Sequence, residues 1–213
     1  MAEYLDIENW SRRELFKFFI GYSNPYFNVC VQMDVTEFLT FVRARSLKVS
    51  LALHYFALRV ANEIEPFRYR LKDGKVVIFD AVHGGTTVLL PNESFAYAYF
   101  EYQPDFEKFT KEMGKAVEVV RTSTAPLKPT MRDDVIYHTT LPWISFTSFM
   151  HARTPGRGDS IPRIVFGKFM ESGTRKMMPI SVEVHHALMD GLHVGRYLNR
   201  LEEVLAKPQS FIS

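Results

Sequence analysis

Cysteine is almost missing from this sequence: Cys30 is the only one in 213 residues. A lone thiol excludes an intramolecular disulfide and a multi-cysteine metal cluster, and it fits a reducing compartment. An excess of one charge is missing too. The 26 Lys and Arg residues are mixed along the chain with 24 Asp and Glu, a formal net charge of +2, so no electropositive stripe marks a nucleic-acid surface. No apolar run approaches the roughly 20 residues that span a bilayer. The segment from Met1 to Trp10 carries Glu3, Asp6 and Glu8 and lacks the basic start and apolar run of a signal peptide. These absences predict a cytoplasmic protein without nucleic-acid or membrane partners. Neither a His-Glu-x-x-His helix nor a Cys/His cluster occurs among the seven histidines, so no metal is expected.

What is abundant is large apolar side chains. Hydrophobic residues make up 46% of the chain, with 18 Phe and 10 Tyr, enough to fill one core and leave aromatic surface for a subunit contact. Ser11-Arg12-Arg13-Glu14 has capping-box spacing, so a helix is expected from Ser11. Alternation over Phe27–Met33 predicts a strand, after which Thr36 would cap a second helix. Apolar residues at helical spacing fill Ser46–Ile64, closed by Pro66. Lys72-Asp73-Gly74 divides two strand-like runs, Phe67–Leu71 and Lys75–Phe79, and predicts a hairpin. Thr86–Leu90 and Phe95–Tyr102 read as strands, followed by a helix carrying Phe106, Phe109, Met113, Ala116, Val117 and Val120. Thr122–Asp134 reads as a loop, Ile144–Phe149 and Ile164–Met170 as strands, His151–Pro162 as a basic loop, and Pro179–His185 as a last strand. With no repeat and no low-complexity segment, one α/β domain with a mixed sheet is expected.

In Ile180–His186 alternate side chains face opposite sides of the strand, and His186 leaves it on the apolar side. Val194, Tyr197, Leu198, Leu201, Val204 and Leu205 then repeat at helical spacing, so a helix starts just beyond Gly191. A histidine in such a tight turn, partly withdrawn from water, favours the neutral form that accepts a proton. Asp190 would receive the first helix amides or pair with a cation. On spacing alone, a packed, hydrogen-bonded His-His pair is as good a reading as a catalytic one.

His185-His186-Ala187-Leu188-Met189-Asp190-Gly191-Leu192-His193 closely resembles the active-site signature of the chloramphenicol acetyltransferase family. Trp10–Glu14, Phe67-Arg68 with Lys72-Asp73-Gly74, and Pro142–Phe149 resemble further family segments in the same order. The resemblance implies a two-layer α/β sandwich over residues 1–213 and direct acetyl transfer from acetyl-coenzyme A, a co-substrate rather than a bound cofactor. The acceptor implied is the primary hydroxyl of chloramphenicol, or alternatively another small hydroxyl or amine; a domain that binds coenzyme A or another ligand without turnover is a further reading, against which the joint presence of His186, Ser148, Asp190 and Arg12 argues. His186 matches the family's general base and Ser148 its oxyanion donor, with Ser145 and Thr147 as weaker candidates. Arg12, with Arg13 as fallback, matches the arginine that pairs with Asp190. Cys30 has no nucleophilic part and His193 is structural. Homotrimers with sites between subunits are implied, with Phe18, Phe19, Phe27 and Phe95 in segments that resemble the acceptor-binding ones. The sequence departs from the family at Glu183, usually glutamine, at Leu192, usually aromatic, and over His151–Pro162.

Overall fold

The computed structural model describes residues 2–123, 132–153 and 159–212. Its elements in chain order are β1 (Ala2–Tyr4), α1 (Arg13–Ile20), β2 (Tyr26–Asp34), α2 (Thr36–Ala44), α3 (Val49–Glu63), β3 (Tyr69–Lys72), β4 (Lys75–Phe79) and β5 (His83–Leu89). There follow β6 (Phe95–Phe100), α4 (Phe106–Thr122), β7 (Val135–Leu141), β8 (Arg163–Gly167), β9 (Met170–Ser172), β10 (Arg175–His185) and α5 (Gly191–Ala206). The larger sheet has the order β2-β10-β8-β7-β5-β6, with β9 paired to the start of β10. It is mixed, because β7 runs parallel to both β5 and β8 while the other pairs are antiparallel. A small antiparallel sheet, β1-β4-β3, stands apart.

One face of the large sheet and helices α2 to α5 share a single apolar core. Ile180, Val182 and Val184 of β10 meet Phe38, Phe56, Phe109, Tyr197 and Leu201 there, all fully buried. Burying a side chain of this size contributes roughly 1.5–3 kcal/mol, so this layer holds β10 in place. The β3–β4 hairpin turns on Asp73 and Gly74, both with positive φ (51° and 73°), the conformation that a two-residue hairpin turn demands.

Several expectations need correction. No capping box forms at Ser11: α1 begins at Arg13, and its N-cap, Arg12, makes no side-chain cap, because the Arg12 side chain is engaged elsewhere. Thr36 is the first residue of α2 rather than its cap, and the Asp34 carboxylate accepts its amide (3.0 Å) and hydroxyl (2.6 Å). Pro66 lies in a short 3-10 turn, Glu65–Arg68, that delays β3 to Tyr69. Ile144–Phe149 is not a strand. Trp143 and Ile144 are exposed and only Phe146 is buried, while the place beside β8 in the sheet is taken by β7, which the sequence reading missed. The expected strand Ile164–Met170 is two strands, β8 and β9, and β10 starts four residues earlier than predicted, after a turn at Gly173 (φ +60°). Of the expected loop Thr122–Asp134, residues 124–131 lie outside the described part, as do residues 154–158 of the His151–Pro162 loop.

Candidate active site

β10 ends at His185, and the turn behind it is closed by the chain itself. The His185 carbonyl accepts the amides of Leu188 (3.0 Å) and Met189 (3.2 Å), and its ring Nδ1 accepts the Ala187 amide at 3.2 Å. Burial and the nearby Arg153 charge lower the His185 pKa to about 4, which keeps this ring neutral and an acceptor. Its edge meets the Tyr26 ring at 5.2 Å. Ala187, Leu188 and Met189 are fully buried, so the turn is anchored on its apolar side as well.

His186 sits at the head of this turn, and its amide donates to Pro25 O at 2.7 Å. Its ring stacks on Phe19 of α1, centroids 3.8 Å apart and 8° from parallel, and meets Phe27 of β2 at 4.6 Å. Nδ1 is buried without a hydrogen-bond partner among the described residues. An imidazole stacked flat on one aromatic ring and touched by a second, tilted at 46°, cannot rotate freely, so a ring nitrogen open to a substrate would keep one fixed direction.

Arg12 and Asp190, 178 residues apart, form an ion pair, and Arg12 Nη2 also donates to His186 O at 3.2 Å. One guanidinium thus ties the histidine's own backbone to the start of α5. Arg13 points elsewhere, to Glu14 (2.9 Å) and Glu8 (3.3 Å) at the surface. Asp190 is the N-cap of α5: its carboxylate accepts the Leu192 amide at 3.0 Å, and its own amide donates to His193 Nδ1 at 3.1 Å. Both readings of Asp190, helix cap and cation partner, therefore hold together. Burial alone would raise the Asp190 pKa, but the Arg12 charge, His193 and the Leu192 amide outweigh it and hold the carboxyl below its usual value. Burial lowers the pKa of His193, consistent with a neutral ring serving the capping box. The Leu192 side chain is exposed.

The other candidates are spread more widely. Ser148 and Thr147 are exposed and Ser145 is half-buried, all in the irregular segment that Gln32 Nε2 pins to β2 through Phe146 O (3.3 Å). The next residue, Phe149, lines a cleft of about 540 Å³ together with Phe27, the ring that touches His186. Phe18 is exposed and meets Phe19 edge-on at 5.0 Å. Phe95 lies on β6, four strands from β10, roughly 19 Å at a usual strand spacing of ~4.8 Å. Within one chain it does not join the group around His186. Cys30 donates to Asn28 Oδ1 at 3.2 Å within β2.

Sequence reasoning missed a polar group on the opposite face of β10. The Glu183 carboxylate receives Arg153 Nε at 2.8 Å and the His151 amide at 3.4 Å, and Arg153 also reaches Asp159 at 3.0 Å. Burial would raise the Glu183 pKa, but His151 and Arg153 outweigh it and bring it to about 2. The signals available were the two departures from the family at Glu183 and over His151–Pro162, which nothing in the sequence joins to each other.

The profile of the chloramphenicol acetyltransferase family matches residues 2–202. The chloramphenicol acetyltransferases of Klebsiella sp and Escherichia coli are each 33% identical over 200 residues, which covers 93% of this chain and 91% of theirs. That of Streptomyces acrimycini is 32% identical, covering 96% of this chain and 94% of its own. A solved chloramphenicol acetyltransferase superposes with a TM-score of 0.86 at 28% identity, over 96% of this chain and all of that one. Dihydrolipoamide acetyltransferase of Azotobacter vinelandii, at 18% identity and a TM-score of 0.72 over 93% of this chain and 88% of its own, shares the fold alone. Fold and relatives together define an acyltransferase of two-layer α/β architecture. Within that class, the chain belongs to the chloramphenicol acetyltransferase family.

Proposed function

We propose that this chain transfers the acetyl group of acetyl-coenzyme A to the primary hydroxyl of chloramphenicol, inactivating the antibiotic in the cytoplasm. His186 Nε2 takes the hydroxyl proton as the oxygen attacks the thioester carbon, and returns it to the departing coenzyme A thiolate. Both substrates are present together and no acyl-enzyme forms, so Cys30 has no part in the chemistry. Ser148 donates a hydrogen bond to the oxyanion that develops on the thioester carbonyl, a contribution of about 3 kcal/mol for a well-placed donor. Arg12 and Asp190 hold the turn, and with it the imidazole. The observation that carries this reading is the His186 ring fixed between Phe19 and Phe27 while Arg12 binds its carbonyl and Asp190 at once.

Residues 1–213 act as one acetyltransferase domain in a homotrimer whose sites lie between subunits. The exposed Phe18, Tyr22, Trp143, Ile144 and Met150 support a second copy covering this side of the chain. Phe95 of a neighbouring subunit would then complete the acceptor pocket. A different small hydroxyl or amine acceptor is the second reading, favoured by Glu183 and His151 in the cleft beside Phe27.

The test is release of free thiol from acetyl-coenzyme A with mass detection of the acetylated product. Chloramphenicol-dependent release with the matching product is expected. No release, from a protein shown to be folded and trimeric, contradicts chloramphenicol as the acceptor and turns the assay to a panel of small alcohols and amines.

A further inference from the structure

The cleft that Phe27 lines, the ring that also touches His186, has two walls of different origin. One is the start of β2 with the residues before it, Ser23, Asn24, Tyr26, Phe27 and Asn28. The other is Phe149, Met150 and His151, at the end of an irregular segment whose own backbone makes no ladder. Something must hold this second wall at a fixed distance from the first. The Glu183 side chain, buried on β10 three residues before His186, lines the same cleft together with Arg153.

Glu183 gathers the end of the irregular segment by accepting the His151 amide at 3.4 Å and Arg153 Nε at 2.8 Å. Arg153 then bridges to Asp159, which also binds Arg163 at 2.6 Å. The Asp159 carbonyl accepts the Tyr26 hydroxyl at 2.6 Å, and the Arg153 guanidinium lies 3.9 Å above the Tyr26 ring. The contacts therefore close a ring from β10 through the second wall to the first. A buried carboxylate paired in this way loses heavily when one partner is removed, because the other charge is left unpaired.

We propose that Glu183 and Arg153 are positioning residues that set the acceptor wall formed by Phe149, Met150 and His151, and so determine acceptor specificity without touching the reacting atoms. This rests on the reading that the acceptor reaches His186 through this cleft. No hydrogen bond, ion pair or ring contact joins either residue to His186 among the described residues, while both line the cleft, so the pair acts first on acceptor binding and reaches the turn only through His185.

The experiment is steady-state kinetics on the full-length protein with Glu183→Gln, Arg153→Gln, the double variant and Arg153→Lys. Each single Gln change is expected to raise the KM for chloramphenicol about tenfold, the loss of roughly one charged hydrogen bond. KM for acetyl-coenzyme A and kcat should stay within about twofold, the double variant should be no worse than the worse single change, and Arg153→Lys should recover most of the loss. An unchanged acceptor KM, an equal rise in both KM values, or a fall in kcat alone would overturn the proposal.

Should the wild-type protein not acetylate chloramphenicol, the functional reading fails and the clamp is still measurable by hydrogen exchange. Faster exchange at His151–Arg153 in Glu183→Gln, with β10 unchanged, supports it, and unchanged exchange there overturns it. Arg153→Lys, which keeps the charge, serves the same measurement if the Gln variants do not fold.

Discussion

The two faces of β10 are both buried and are built from opposite chemistry. Ile180, Val182 and Val184 on one side are fully buried among the helices, while Ser181, Glu183 and His185 on the other are at most 3% exposed. The first face needs only volume and water exclusion. The second needs partners: the Ser181 hydroxyl accepts Asn28 Nδ2 at 2.6 Å, Glu183 accepts Arg153 Nε and the His151 amide, and His185 Nδ1 accepts the Ala187 amide. Burial thus has two outcomes on one strand. The apolar face contributes stability, and the polar face fixes where the strand, its turn and the facing wall stand relative to one another.

The contrast can be broken first from the apolar side. Ile180→Ala should lower the stability by roughly 2–5 kcal/mol, the usual cost of such a cavity, with KM values of the folded fraction unchanged. Chemical unfolding beside kinetics would check this, and a variant of normal stability would contradict the account of the core.

Acid should act on both sides of the sheet. His54 in the core has its pKa lowered to about 4 by burial, with Nδ1 donating to Ser50 O (2.6 Å) and Nε2 within 3.1 Å of the Thr86 hydroxyl. Burial lowers the pKa of His138 beside it well below its usual value, and that of His185 on the polar face to about 4. Unfolded, these rings return to a pKa near 6.5. Between about pH 4 and 6.5 the unfolded chain therefore binds more protons, and stability falls as the pH drops through that window. For His54 alone the loss is on the order of 3 kcal/mol across the window. Unfolding curves at pH 7 and 4.5 should differ in midpoint by that cause, and a flat profile would contradict buried neutral imidazoles.

A smaller effect should come from the turn. Asp190→Asn keeps a helix-capping side chain but removes the charge that faces Arg12. It should cost roughly 1 kcal/mol of stability and lower kcat about tenfold or less, with KM for acetyl-coenzyme A unchanged. Activity equal to wild type would mean that the ion pair does not orient His186.

The apolar face was legible in the sequence and the polar face was not, for a physical reason. Ile180, Val182 and Val184, and the helical spacing of α3 and α5, announce burial by residue type alone. Lys72-Asp73-Gly74 announces its hairpin by residue type, turn residues between two strand-like runs, and the positive φ at Asp73 and Gly74 is the conformation those residues adopt. By contrast, Ile144–Phe149 carries the apolar and hydroxyl residues of a strand, but sheet membership depends on a free neighbour, and β7 fills that place with a Thr- and His-containing sequence of weaker pattern. The Arg12–Asp190 pair spans nearly the whole chain, so only the family resemblance pointed to it. Glu183, Tyr26 and the loop residues Arg153 and Asp159 lie on three separate segments, and no spacing in the sequence brings them together.

The central claim is that the strand-end turn exists to hold one imidazole, and its most direct test is acetyl transfer by His186→Ala. The account predicts a loss of about 10³-fold in kcat, within the range of general acid–base contributions, with the fold and the affinity for acetyl-coenzyme A retained. Transfer at the wild-type rate would contradict it.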